Sequence, residues 1–195
     1  LEGTDDFMVD EQEKLRADAR ANRERILDVA RDALAADPAA SLNSIAKAAG
    51  VGAGTLYRHF PSRPALVLGV YRKEIDALVG LAPKLLAVRP PLQAFRLWCD
   101  RLAQVGRVKH GVADMLHAAI SDEDLQKSYF PVVDAVRLLM NACEASGEIR
   151  PDSKPEDFLI LLGFLWQIPP TPAGEAQVKR LLAVIFRGLG ASVEG

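Results

Sequence analysis

Between residues 41 and 60 the chain reads Ser41-Leu-Asn-Ser-Ile-Ala-Lys-Ala-Ala-Gly50-Val-Gly-Ala-Gly-Thr-Leu-Tyr-Arg-His-Phe60. Within five residues it places a hydroxyl, a phenol, a guanidinium and an imidazole, at Thr55, Tyr57, Arg58 and His59. Those groups suit base edges and the phosphates beside them. Arg58 can fork onto a guanine, Thr55 and His59 can meet a base edge or a phosphate, and Tyr57 can donate to a phosphate. Nothing comparable points to catalysis: the sequence has no His-Glu-x-x-His, no nucleophile elbow and no paired-carboxylate arrangement, so no enzyme is expected. His110, Asp114 and His117 stand at i, i+4 and i+7 and can share one helix face, although Gly111 leaves the helix start at His110 open. Metal ligation needs further ligands that the sequence does not identify, so a pocket or surface His pair beside a carboxylate is the expected reading. No metal and no cofactor are expected.

Two other readings of residues 41–60 compete. Gly50-Val-Gly52-Ala-Gly54 imitates a nucleotide-binding loop, but that loop needs a strand before it and an acid about 20 residues later. Here a helical pattern precedes it and no Gly-Lys-Ser/Thr is present. A helical hairpin that merely packs explains the apolar positions but leaves the polar, aromatic and basic cluster without a reason.

Elements must hold that cluster, and their signals are helical throughout, with no sustained period-two alternation. Segments are expected at 11–36, 41–49, 53–60, 64–88, 92–108, 110–119, 123–146 (entered or bent at Pro131), 155–168 and 174–189. That gives about nine helices and no sheet. Asp37-Pro38 closes the first, Ser41 caps the second, Gly50 stops it, and Pro61-Ser62 closes the third. Two short helices joined at Gly50-Val51 make a helix-turn-helix, with Ile45, Ala46, Ala49, Val51 and Leu56 clamping them together. Pro155 followed by Glu156 and Asp157 is a strong helix start, with acids at the positive end of the dipole. Residues 169–174 read as a loop.

The 195 residues are 49% hydrophobic and 26% charged, which excludes intrinsic disorder and collagen-like repeats. Cys99 and Cys143 form no CxxC, so neither a disulfide framework nor a zinc ribbon is expected. The apolar run from Phe158 to Trp166 is far shorter than a membrane span, and the first ten residues carry four acids and no base, unlike a secretory leader. A cytoplasmic protein without a membrane partner is expected. The net charge of −2 conceals an asymmetry: residues 11–73 hold 11 basic and 7 acidic side chains, whereas residues 74–195 hold 13 and 15. A small basic module thus precedes a slightly acidic body. At the start of its first helix, Arg16, Arg20, Arg23 and Arg25 are candidates for phosphate or minor-groove contact, or for a solvated face partly paired with Glu24 and Asp28.

Ile45-Ala-Lys-Ala-Ala-Gly-Val, Gly54-Thr-Leu-Tyr-Arg-His-Phe-Pro-Ser-Arg and Ala65-Leu resemble the DNA-binding domain of the TetR family of transcriptional regulators, over about residues 20 to 75. The resemblance implies an all-α homodimer, with an N-terminal helix-turn-helix domain (11–63) and a C-terminal helical domain (64–195) that binds an effector and dimerises. It implies a repressor that releases double-stranded operator DNA when an unknown small molecule binds. It places Asn43 and Ala53 to His59 at the DNA face, and Arg63 where the family commonly has a phosphate-binding Lys. Ser41 and Lys47 complete the expected DNA-binding set of Ser41, Asn43, Lys47, Ala53, Gly54, Thr55, Tyr57, Arg58, His59 and Arg63. Gly52 departs from the family's usual capping Ser, and Ala53 and Gly54 offer few base contacts, so more of the specificity falls to Asn43 and Arg58.

In the body, Trp98 followed by Arg107-Val-Lys-His-Gly-Val-Ala-Asp-Met-Leu loosely resembles the C-terminal domain of SbtR-like members. Phe95, Trp98, Cys99, Met115, His117, Tyr129, Phe130, Val133 and Met140 are candidates to line a ligand pocket, or else plain core. The segment 155–168 is apolar nearly all round and must bury two faces. With the last helix it supplies the expected dimer interface: Phe158, Leu161, Leu162, Leu165, Trp166, Leu181, Leu182, Ile185, Phe186 and Leu189. The alternative from another class is an all-helical ligand-binding or adaptor protein without DNA binding.

Overall fold

The structure is a computed structural model. It describes the backbone over 4–119, 122–169 and 171–190, and the side chains over 13–14, 16–105, 127–165, 167–169 and 171–190. Among these residues there are eight α-helices and one 3-10 segment, and no strand. In chain order they are α1 (Thr4–Ala36), α2 (Leu42–Ala48), α3 (Ala53–His59), α4 (Arg63–Leu86), α5 (Pro91–Ala119), α6 (Asp122–Ala145), α7 (Pro155–Leu162), the 3-10 turn Gly163–Gln167 and α8 (Pro172–Gly188). The chain divides into two compact units, Leu1–Val70 and Tyr71–Gly195, and the division falls inside α4.

The first helix begins at Thr4, seven residues before its expected start at residue 11, and three other boundaries differ from the sequence expectation for local reasons. The segments expected at 92–108 and 110–119 are one helix, α5. Gly106 and Gly111 weaken a helix by about 1 kcal/mol each relative to Ala, and 29 residues of helix can absorb that. The expected helix over 155–168 ends as α at Leu162 and tightens to 3-10 geometry from Gly163. Its exit is fixed by Pro169, which pushes Ile168 into extended backbone at φ −83° and ψ 123°. Finally, α8 begins at Pro172, two residues early, because Thr171 caps it by accepting from the Gly174 N–H at 3.1 Å and Pro172 occupies its first turn.

In the first unit, α1 contributes the buried stripe Ile26, Leu27, Ala30 and Leu34. The same unit buries Ile45, Ala46 and Ala49 of the second helix region, Leu56 and Phe60 from α3 and its end, and Leu66, Val67 and Val70 at the start of α4. Gly69 lets Phe60 come close: a methyl built there would lie 2.8 Å from Phe60 Cε1 and 3.0 Å from Leu27 Cδ2.

In the second unit, α5 and α6 carry most of the core, including Phe95, Trp98, Cys99, Leu102, Val136, Leu139, Met140 and Cys143. Phe95, Phe158 and Phe186 join α5, α7 and α8 in a ring cluster, with centroids 4.9 Å apart for Phe95–Phe158 and 5.2 Å for Phe95–Phe186. Trp98 Nε1 donates to the buried Leu78 carbonyl of α4 at 2.9 Å, so its one polar atom is satisfied. Glu74 of α4 is the buried charged residue of the described set, and the Arg101 guanidinium of α5 donates to it. Helix ends are closed from a distance. The Leu92 N–H of α5 donates to Glu148 at 3.2 Å, and Arg150 donates to the Gly188 carbonyl of α8 at 3.1 Å. An acid at a helix start and a base at a helix end both complement the dipole.

Candidate nucleic-acid interface

The turn between α2 and α3 follows from three residue choices. Ser41 caps α2, its Oγ accepting from the Ser44 N–H at 3.0 Å. Gly50 takes φ +65°, and the flanking amides close the helix end: Gly50 N–H to Lys47 O at 3.1 Å and Val51 N–H to Ala46 O at 3.0 Å. That pair of bonds is a Schellman closure, which needs a left-handed residue where Gly50 stands. Gly52 then precedes α3 with no side-chain cap, as the missing Ser implies. Ile45, Ala46, Ala49 and Leu56 are buried as the expected clamp, while Val51 is half-buried.

Burial of Leu56 fixes which face of α3 points outward. Ala53, Gly54, Tyr57 and Arg58 are exposed, and Thr55 and His59 are half-buried on its flank. Asn43 and Lys47 are exposed on α2, and Ser41 is exposed at its cap. Arg58 is held along its own helix: Nε donates to the Gly54 carbonyl and one terminal nitrogen donates to Thr55 Oγ1, both at 3.2 Å. A fork onto a base edge therefore requires it to leave two solvent-side bonds, which water can replace. Arg63 has a different environment. Its guanidinium donates to the carbonyls of Pro38 and Ala40, tying the start of α4 to the α1–α2 loop, so a phosphate would share it with a structural duty.

From α1 the sequence reading named only arginines and missed Asp18, Ala19 and Asn22. Asp18, Ala19 and Asn22 line a groove of about 410 Å³ together with Thr55, Arg58 and His59 of α3. Arg23 lies over the Phe60 ring, 5.3 Å from its centroid, in a cation–π contact. The signal was present: Ala19, Asn22 and Arg23 continue the spacing of Ile26, Leu27, Ala30 and Leu34 by one more turn.

The other predicted sets are partly brought together. Phe95, Trp98, Cys99 and Met140 are buried in one core and Val133 is buried apart from that cluster, whereas Tyr129 and Phe130 are 40% and 59% exposed and stay outside it. The side chains of His110, Asp114, Met115 and His117 lie outside the described residues, as does that of Trp166. Among the described residues no group of three or more His, Cys, Asp or Glu stands close enough to hold a metal ion, and no helix is long and apolar enough to cross a membrane. Of the residues expected between two copies, Phe158, Leu162, Leu165, Leu182, Phe186 and Leu189 are buried in the unit's own core. Phe158 and Phe186 belong to the ring cluster with Phe95. Leu161 is 57% exposed, and Leu181 and Ile185 are half-buried. Ile160 and Val184, which were not expected there, are 73% and 54% exposed. Burial also pushes both thiols up, Cys143 to about 12 with Glu148 and Glu144 adding to the shift, so they are inert hydrophobes.

Comparison with known proteins agrees with this arrangement. Residues 26–70 match the bacterial regulatory proteins, tetR family, and residues 90–191 match the transcriptional regulator SbtR-like C-terminal domain. The TetR transcriptional regulator SCO0520 from Streptomyces coelicolor has a crystal structure similar to this one, with TM-score 0.76 and 36% identity over 88% of this chain and 99% of that one. A TetR transcription regulatory protein from Mycobacterium vanbaalenii gives TM-score 0.72 and 31% identity, over 90% and 98%. An HTH-type transcriptional regulator of Staphylococcus aureus (strain USA300) is 37% identical over 67 residues, 33% of this chain and 36% of that relative. The match thus spans about a third of the curated relative's length and is confined to one segment. With the C-terminal model covering more than half of the sequence and full-length structural relatives above 30% identity, the chain belongs to the TetR family of transcriptional regulators.

Proposed function

We propose that this DNA-binding regulator is a homodimeric, effector-responsive repressor that reads a two-fold operator through α3. One observation carries the reading: a seven-residue helix keeps Leu56 inside and turns Ala53, Gly54, Tyr57 and Arg58 out, with Thr55 and His59 flanking them. Such a surface fits the major groove, with Ser41, Lys47 and Arg63 toward the phosphates and Arg58 and Asn43 toward base edges.

A dimer matches the requirement for two recognition helices roughly 34 Å apart. Exposed Ile160 and Leu161 on α7 and Val184 on α8, with half-buried Leu181 and Ile185, support an interface made by those two helices. The side chain of Trp166 is part of the same proposal. The effector site is assigned to the α5–α6 body around Phe95, Trp98, Cys99, Val133 and Met140, with Met115, His117, Tyr129 and Phe130 as further contacts. An effector there acts on DNA affinity only if it binds one conformation of the body better than the other. The helix α4, which contains the division between the units, is the continuous element available to transmit that preference.

The test is a gel shift with the duplex upstream of the protein's own coding region, across a range of salt. Wild type retards it in a salt-sensitive way and Arg58→Ala does so only at higher protein concentration, by the loss of about 1–3 kcal/mol expected for one base contact. Absence of any salt-sensitive shift by wild type would leave a helical ligand-binding or adaptor protein as the surviving alternative.

A further inference from the structure

The groove between α1 and α3 holds a carboxylate that the DNA-reading residues do not neutralise. Asp18, Ala19 and Asn22 of α1 line it with Thr55, Arg58 and His59 of α3. Arg58 donates to its own helix, at Gly54 O and Thr55 Oγ1, and not to Asp18. Asp18 is exposed and pairs with no cation among the described residues. Asn22 accepts from Arg25 through its side-chain oxygen, which leaves its amide hydrogens for the groove. A free negative charge thus sits among the polar groups of a surface whose partner is a polyanion, in a module with a local charge of +4 over residues 11–73.

We propose that Asp18 is a specificity-determining residue for DNA, acting by repulsion. A phosphate seated in this groove meets an uncompensated carboxylate, so any placement that brings the sugar–phosphate backbone over it is disfavoured. A placement that presents base edges to Arg58 and keeps phosphates outside the groove is not penalised. Non-specific complexes form almost wholly from phosphate contacts, which are weakly oriented and sample many placements. The carboxylate therefore weakens them more than the specific complex, and the difference is discrimination. The proposal rests on the reading of α3 as the DNA-reading helix and extends the reading surface to α1.

The experiment measures binding by fluorescence anisotropy to two duplexes at several salt concentrations. One is enriched by the wild-type protein from a random pool, and the other is a shuffled duplex of the same composition. Asp18→Asn is expected to bind the shuffled duplex about fivefold tighter, the size of one exposed charge–charge contact. Its affinity for the enriched duplex stays within about twofold, so discrimination falls. Asp18→Ala, which adds no amide donor, shifts in the same direction. Asp28→Asn removes a carboxylate of the same helix that lies outside the groove and pairs with Arg31 at 3.8 Å, and it leaves discrimination unchanged. Equal tightening on both duplexes, no tightening on either, or the same loss of discrimination from Asp28→Asn overturns the proposal. Failure of wild type to enrich any sequence removes the DNA-reading assignment of α3 itself, whereas enrichment by wild type with no effect of Asp18→Asn removes this inference alone.

Discussion

Arg58 and Thr55 form a small unit in which one side chain stores the other along the helix. Because both bonds of Arg58 face solvent, the stored state is shallow, and the guanidinium is available to a guanine at little cost. Arg58→Ala is expected to weaken operator binding by about 1–3 kcal/mol while leaving the melting temperature unchanged, as anisotropy and a thermal scan would report. The thiols make the opposite kind of prediction. Cys143 is buried, with its pKa raised from 9.0 to about 12, and Cys99 is raised as well. A raised thiol keeps its proton in the fold, so its contribution to stability is complete below about pH 9 and is lost as the pH climbs toward 12. Alkylation at pH 8 should therefore be slow until denaturant is added, and stability measured from pH 8 to 11 should fall less steeply in Cys143→Ala than in wild type. Residue types alone pointed to the polar, aromatic and basic groups that α3 carries. They could not reveal that Asp18 and Asn22 share its groove, because a helix stripe does not say how far along its length a neighbour extends.

The helices of the first unit depend on caps and on one close approach. Removing the α2 cap with Ser41→Ala should cost about 1 kcal/mol in urea denaturation. Gly69→Ala should cost about 1–3 kcal/mol, since the added methyl meets Phe60 and Leu27 inside an already filled core. Phe60 follows α3 directly, so if α3 reads DNA as proposed the same substitution is expected to lower DNA affinity as well, a coupling that binding and melting data on one preparation would reveal. Helix existence was legible throughout because apolar spacing and Pro or Gly punctuation agree. The misjudged boundaries were those where a local signal competes with packing. The split expected between 108 and 110, beside Gly111, is one that α5 does not make, and the apolar run after Pro155 concealed the change to 3-10 geometry at Gly163. Thr171-Pro172 was a readable cap, hidden inside a stretch whose proline content suggested only a loop.

For the entire chain, association and charge are linked. The net charge is −2, and the basic excess of the first module is small, so in the proposed dimer operator affinity is expected to depend on two modules acting together more than on bulk attraction. If α7 and α8 join two copies, placing a charge on their exposed apolar positions should separate them. Ile160→Glu combined with Val184→Glu is expected to convert the dimer to a folded monomer by light scattering and to reduce operator affinity at least tenfold. Phe158→Ala is expected to behave differently: its ring packs on Phe95 and Phe186, so it should destabilise the unit by about 3–5 kcal/mol rather than merely dissociate it.

Residue identity was sufficient for the all-α class, the helix-turn-helix and the family, because these rest on short-range rules. A left-handed turn needs Gly50, a cap needs Ser41, and one helix face must carry Ile45, Ala46 and Leu56. What each apolar residue of the body is for could not be read in the same way. Phe158 and Leu161 are three positions apart in one apolar run, yet the first lies inside a ring cluster and the second faces outward. The same is true of Phe95 and Phe130, one buried and the other exposed. Core, pocket and interface all call for apolar side chains, and only the packing of α5, α6, α7 and α8 against one another separates the faces that are used from those left open.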